Sequence, residues 1–143
     1  MEKNLCVYKD GNEVLAIVVK RDFSKEGVEF FTPDDFSQQL AYIRHKEGKV
    51  IKAHVHNLVK REVHLTQEVL FIKRGALKVT LYANTKRSIA EFILEAGDTI
   101  LLASGGHGFE VLDEIEMIEV KQGPYAGEDD KSYLEDTGDD TSK

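Results

Sequence analysis

The sequence predicts an all-β domain, either a β-sandwich or a β-barrel. Short runs rich in β-branched and aromatic residues recur along the chain, and turn residues such as Gly48, Gly75 and Gly97-Asp98 separate them. No stretch has the periodicity of a long amphipathic helix. The 143 residues fit one domain that can bury a sizeable core. We therefore expect a single domain built from many short strands.

The predicted strands begin with a hairpin. Residues 5–8 and 14–19 are strand-like, and Asp10-Gly11 between them is typical of a tight hairpin turn. Thr32-Pro33-Asp34-Asp35 predicts a turn or a single helical turn. The remaining strand-like runs are residues 39–44, 50–58, 68–72, 77–82, 89–94, 99–102 and 115–120.

The negative charge is concentrated near the C-terminal end. The chain has 19 Lys and Arg against 26 Asp and Glu, a net charge of −7. Residues 126–143 contribute −5 of this, which leaves −2 for residues 1–125. We expect a barrel domain over 1–125 and an acidic, flexible tail over 126–143. An acidic balance also disfavours a nucleic-acid partner.

Cysteine usage and hydropathy indicate the compartment. Cys6 is the single cysteine, so an intramolecular disulfide is impossible. No apolar run is long enough to cross a membrane, and the N-terminus lacks the pattern of a signal peptide. We therefore expect a cytoplasmic protein without a membrane partner.

The histidines form the most specific pattern in the sequence. His54 and His56 are two residues apart, so their side chains share one face of a predicted strand and could bind one cation. Glu68, at the start of a later strand, and His107 could add an oxygen and a nitrogen. The same alternation equally allows both histidines to face solvent.

Around these residues the chain resembles the cupin superfamily, small jelly-roll β-barrels. The first cupin motif is matched by Gly48, five residues and His54-Val55-His56, and then by Glu68, six residues and Gly75. The second is matched less closely by residues 97–107, which end in His107. The resemblance covers about residues 38–121. It implies a divalent transition metal (Fe, Mn, Ni or Zn) bound by His54, His56, Glu68 and His107.

Two departures from the cupin pattern affect these ligands. Eleven residues separate His56 from Glu68, where the family has three or four, so His64 could replace one of the earlier histidines. In the second motif Ala103 replaces a proline, and His107 comes one residue early. A shift of one residue in a strand could turn His107 away from the cavity.

The resemblance also implies a function, because some cupins isomerise or epimerise sugars in bacterial surface-polysaccharide pathways. We expect a metal-binding enzyme that acts on a small carbohydrate or organic acid. His64 would move a proton, Lys60 and Arg61 would hold an anionic group, and Tyr42 would line the pocket.

Three alternatives to this function remain open. An iron(II)-dependent dioxygenase would use a similar set of ligands. A sensor would bind its ligand without converting it. A metal-free enzyme would use His56 and His64 for acid–base catalysis.

The sequence also predicts a homodimer. Residues 14–19 are unusually apolar for a strand at the edge of a sheet. An unpaired edge of this kind invites pairing with a second chain. Small cupins are commonly dimers, which agrees with this expectation.

Overall fold

The computed structural model describes residues 3–134, and its fold is all-β. Every regular element in this range is a strand except for one short 3-10 helix. The elements are β1 (Leu5–Asp10), β2 (Glu13–Val19), β3 (Gly27–Phe30), β4 (Ala41–Arg44), β5 (Glu68–Tyr82), β6 (Ser88–Glu95), β7 (Thr99–Leu102), β8 (Gly106–Lys121) and the 3-10 helix η1 (Gly127–Asp130). Residues 3–134 contain no helix that could span a membrane.

Six of the strands form one antiparallel sheet that curls strongly into a half-barrel. The long strand β5 lies at its centre. On one side β5 pairs with β8 along its whole length. On its other side, the first residues of β5 pair with β7 and the later ones with β6. The hairpin β1–β2 joins through β7, so β1, β6 and β8 each pair with only one strand among the described strands.

Gly75 allows β5 to continue where the sequence predicts a turn. The register between β5 and β8 shifts on both sides of Gly75, which has a φ of 93°. A Cβ atom at this position would collide with the backbone carbonyl group of Glu114, so glycine alone fits the bulge. The bulge changes the side-chain parity, so Ile72 and Leu77 both point into the core. The two strands predicted at 68–72 and 77–82 are therefore one strand.

The hydrophobic core is formed by side chains from strands of the curled sheet. Leucine, isoleucine, valine and alanine side chains from β2, β5, β6 and β7 form it, and burial of their apolar surface is the main stabilising contribution. The buried cluster consists of Leu15, Ala16, Val18, Leu70, Ile72, Leu77, Val79, Leu81, Leu94, Ile100 and Leu102. Tyr8 and Phe92 stack beside it with ring centroids 4.4 Å apart.

A buried carboxylate fixes the turn between β6 and β7. Asp98 is 1% exposed and accepts hydrogen bonds from the backbone N–H groups of Arg21 and Glu95, at 2.9 and 2.8 Å. Lys20 Nζ also donates to it, at 2.9 Å. These three donors balance the cost of burying the charge. Asp98 thus ties this turn to the end of β2.

A second, two-stranded sheet consists of β3 and β4. Phe23 is buried and packs edge-on against Phe31 and Tyr42, which attaches this sheet to the preceding loop. The opposite face of the small sheet exposes Val28, Phe30 and Ile43.

The structure agrees with several sequence predictions and corrects others. The hairpin formed by β1 and β2 is confirmed. The strand predicted at 50–58 is wrong for this chain, because residues 46–66 belong to no strand and are all exposed. We call residues 46–66 the arm. The strand at 14–19 is not an edge, because β2 pairs with β1 on one side and β7 on the other.

Further differences concern β3, the start of β8 and the predicted tail. No strand was predicted at the position of β3, and β8 begins nine residues before the run predicted at 115–120. Of the predicted tail, residues 135–143 lie outside the described residues. Its first part contains η1, whose Asp130 lies against Lys121 of β8.

Candidate functional site

The curled sheet brings Glu68 and His107 into contact. Glu68 is the first residue of β5, whereas His107 pairs in register with Leu81, near the other end of that strand. Thirteen residues of straight strand would span about 40 Å. In the half-barrel His107 Nε2 instead lies 2.9 Å from Glu68 Oε1 and donates a hydrogen bond to it. The side chain of Glu68 is 11% exposed and that of His107 is 33% exposed.

Two residues of β8 complete the cluster around Glu68. Lys121 lies opposite Glu68 in the ladder, and Glu119 lies opposite Leu70. Residues two apart in a strand share a face, so Glu119 and Lys121 point to the same side as Glu68. Glu119 is hydrogen-bonded to Glu68. We refer to Glu68, His107, Glu119 and Lys121 as the concave site.

The two carboxyl groups of the concave site have opposite pKa shifts. Burial alone would raise the pKa of Glu68, but hydrogen bonds from His107 and Glu119 and the charges of His107 and Lys121 lower it to about 2. The hydrogen bond to Glu68, burial and the negative charge of Glu68 raise the pKa of Glu119 to about 7. Glu119 therefore keeps a proton up to near-neutral pH, and donates it in the hydrogen bond to the Glu68 carboxylate.

Lys121 connects the concave site to the segment that follows β8. Its Nζ lies 3.3 Å from Asp130 Oδ2 of η1 and 5.9 Å from the centroid of the Tyr125 ring. The backbone N–H of Ala126 also donates to Asp130, at 3.2 Å. The beginning of the predicted tail thus lies against the concave site and holds the cation in place.

Gln67 positions the start of β5 at this site. It is 3% exposed, and its side-chain oxygen accepts hydrogen bonds from Ser37 Oγ at 3.2 Å and the Gln38 N–H at 3.0 Å. Its backbone carbonyl accepts from the N–H of Gln122 at 2.9 Å, and Gln38 Nε2 donates to Gln122 Oε1 at 2.9 Å. This network holds Ser37-Gln38 and Gln122, the residue that follows β8, next to the start of β5.

The other predicted site residues lie elsewhere. His54, His56, His64, Lys60 and Arg61 are all on the exposed arm. The rings of His54 and His56 are 5.2 Å apart between centroids, so these two side chains do lie together. His54 Nδ1 is 2.7 Å from the backbone oxygen of Lys52.

His64 and Tyr42 also have local neighbours. His64 Nε2 lies 3.7 Å from Glu62 Oε2, also on the arm. Tyr42, predicted to line a pocket, packs against Phe23 in the small sheet. Nothing in these contacts tests the substrate-binding and catalytic roles predicted for the arm residues and Tyr42, so those roles stay predictions.

The four predicted metal ligands do not assemble within one chain. Glu68 and His107 offer one oxygen and one nitrogen at the concave site, and His54 and His56 offer two nitrogens on the arm. Among residues 3–134, no three His, Cys, Asp or Glu side chains are placed to hold one metal ion. The predicted metal therefore stays a prediction, and we derive no chemical step through it.

Glu119 and Lys121 are not among the site residues predicted from the sequence. The only signal was their alternation within the strand predicted at 115–120, which places them on one face. It could not show that this face lies next to Glu68. For His107, the contact with Glu68 shows that its early position in the motif does not turn it away from the concave face.

A separate shallow cleft lies at the base of the arm. It has a volume of about 300 Å³ and is lined by Glu26, Arg44, His45 and Lys46. Arg44 donates a hydrogen bond to Ser24 Oγ at 3.0 Å. None of the residues predicted from the motifs lines this cleft.

Comparison with known proteins does not identify the chain. No family model matches it, and no curated protein or solved structure is similar enough to count as a match. The resemblance to the cupins therefore rests on the motifs alone.

Proposed function

We propose that this protein is an enzyme that isomerises or epimerises a small carbohydrate or organic acid at the concave site. The observation that carries the proposal is the cluster of Glu68, His107, Glu119 and Lys121 on the inner face of a half-barrel. Two carboxyl groups, an imidazole and an ammonium group in one concavity can act as the acid, the base and the oxyanion-stabilising group of a proton transfer next to a carbonyl.

Each group has a role that follows from its contacts. The imidazole of His107 is one-third exposed, so a substrate in the concavity could reach it, while Glu68 fixes its orientation. Glu119 is exposed and shares a proton with Glu68, which suits a group that exchanges a proton with substrate. Lys121 would stabilise the negative charge that develops on the substrate oxygen.

The proposal also includes a more specific fold and a bound metal ion. We infer that the half-barrel belongs to a jelly-roll barrel of the cupin type, which the all-β curled sheet and the two motifs support. A divalent transition metal, if bound, would polarise a carbonyl or hydroxyl group of the substrate. The roles given to the chain's own residues do not depend on it.

Solvent exchange tests the proposal without knowledge of the product. A panel of keto sugars, sugar nucleotides and hydroxy or keto acids would be incubated with the protein in D₂O and followed by proton NMR. We expect at least one compound to exchange a carbon-bound proton for deuterium. Glu68→Gln and His107→Gln should slow the exchange at least about 100-fold.

A matched control separates catalysis from folding. Glu116 is on the same strand as Glu119 but pairs with Arg74, so Glu116→Gln should leave the exchange unchanged. The proposal fails if no panel compound exchanges, or if Glu68→Gln exchanges as fast as the unaltered protein. Binding of a panel compound without exchange, detected by saturation-transfer NMR, would instead favour a ligand-binding protein without turnover.

A further inference from the structure

The arm has the pattern of a β-strand but no strand partner. Apolar and polar residues alternate over residues 51–56 and again over 62–66, and Ile51, Ala53, Val55, Val59, Val63 and Leu65 occupy odd-numbered positions. Residues 57–61 interrupt the alternation. Such a period of two is typical of a strand with one buried face. In the single chain every residue from 46 to 66 is exposed, with Val55 at 85%.

The contacts of the arm are local. The backbone N–H of Lys49 donates to the carbonyl of Lys46 at 3.2 Å, and His54 and His64 contact only residues two positions away. A segment of this length without secondary structure is uncommon in a compact domain. Its sequence therefore fits a sheet that the single chain does not supply.

The strand β8 has an unpaired edge, to which another strand could be added. It pairs with β5 on one side, and no strand among residues 3–134 covers its other edge. Long, exposed apolar edges of this kind pair readily with other chains. Its exposed apolar side chains are Phe109, Val111, Leu112, Met117, Ile118 and Val120. At 16 residues, β8 spans about 50 Å, close to the span of residues 51–65 when extended.

The charges of the two segments are opposite. The arm has five Lys and Arg against two Glu, a net charge of +3. The strand β8 has five Asp and Glu against one Lys, a net charge of −4. Lys78 and Arg74 of β5 pair with three of these acids, and the excess of β8 remains negative even when both cations are counted.

Charge also argues against two other occupants of the β8 edge. A second β8 strand would bring two acidic segments together. Residues 135–143 of the same chain carry four acids and one lysine, so they too would be repelled. The chain's own arm does not cover its own β8 either, because the arm is exposed along its full length.

We propose that the arm of one copy of this chain pairs along the free edge of β8 of a second copy, and that the exchange is reciprocal. A two-fold dimer of this kind buries both arms and both β8 edges at once. It also places the arm histidines His54, His56 and His64 beside β8 of the other copy, the strand that contains His107 and Glu119. The proposal is independent of any catalytic activity.

Sedimentation velocity at micromolar concentration tests the dimer. We expect the unaltered protein to sediment as a dimer. Val55→Asp should weaken the dimer at least about 100-fold and give monomers, because it buries an unpaired carboxylate. Its circular dichroism spectrum should be unchanged, because Val55 contacts solvent in the single chain. Ile93→Asp on β6 is the matched control, since Ile93 is 49% exposed but lies on neither surface, and it should stay dimeric.

Cross-linking shows which segments meet. Unlabelled and ¹⁵N-labelled chains would be mixed, unfolded, refolded together and treated with a carbodiimide, which joins lysine to carboxylate without a spacer. We expect mixed-isotope peptides that join Lys49, Lys52 or Lys60 to acids of β8. The proposal is overturned by a monomeric protein, by a dimer that Val55→Asp leaves intact, or by arm–β8 peptides that carry only one isotope.

Discussion

Replacing Glu68 by glutamine should return the pKa of Glu119 from about 7 toward its ordinary value of 4.5. The hydrogen bond to the Glu68 carboxylate, burial and the like charge of Glu68 together raise this pKa. Glutamine removes the charge, and its amide N–H can donate to an ionised Glu119. Burial remains, so we expect a fall of at least about 1 pKa unit rather than the whole shift.

The same pair makes stability depend on pH in a defined direction. The folded state binds the Glu119 proton more tightly than the unfolded state, so the stability from this proton is fully present below pH 4.5 and is lost as the pH rises through 7. A shift of this size corresponds to about 3 kcal/mol, and solvent screening of an exposed carboxyl group leaves about 1 kcal/mol. Glu119→Gln should therefore remove about 1 kcal/mol of the decline in stability between pH 5 and pH 8.

Carbon-13 NMR of the glutamate carboxyl groups between pH 3 and pH 9 measures the pKa values, and thermal unfolding at pH 5 and pH 8 measures the stability. Glu116→Gln is the control, because Glu116 lies on β8 but pairs with Arg74, and it should leave the pKa of Glu119 unchanged. The reasoning is refuted if Glu119 titrates near 4.5 in the unaltered protein. It is equally refuted if Glu119 still titrates near 7 in Glu68→Gln.

Two further predictions concern the scaffold that holds the concave site. Asp98→Ala leaves the part-buried N–H groups of Arg21 and Glu95 without their acceptor, so urea unfolding should show a loss of about 2–4 kcal/mol; a loss below about 1 kcal/mol would contradict the role of Asp98. Gly75→Ala brings a Cβ atom against the Glu114 carbonyl group and should cost at least about 2 kcal/mol more than Gly48→Ala, which has a similar φ but open space around it. Equal losses in the two glycine variants would show that only the backbone conformation matters.

The all-β class could be predicted from the sequence, because it depends on local signals. Turn residues and short apolar runs located most strands. The motif spacing selected Glu68 and His107, and these side chains lie 2.9 Å apart. Neither the contact itself nor its neighbours Glu119 and Lys121 could be predicted, because they depend on how far the sheet curls.

Gly75 shows a second limit of local signals. A glycine between two strand-like runs usually marks a turn. Here it marks a bulge, and only the close approach of the Glu114 backbone distinguishes the two. The consequence reaches the concave site, since an unbroken β5 is what allows β8 to pair with it from Lys121 back to Gly106.

The arm is the segment where the sequence pattern and the single chain disagree, and burial of its apolar side chains is the contribution that would favour the pattern. Burying one valine, leucine or isoleucine side chain contributes about 2 kcal/mol, so the five large residues at odd-numbered positions could contribute about 10 kcal/mol per arm. Ordering the arm opposes this burial at about 1–2 kcal/mol per residue, and the backbone hydrogen bonds of a new strand and the opposite charges of the arm and β8 act in its favour. A reciprocal exchange gains these contributions from two arms for a single loss of translational and rotational freedom. The apolar residues at odd-numbered positions of the arm thus have a role in a strand between two copies that they lack in an exposed loop.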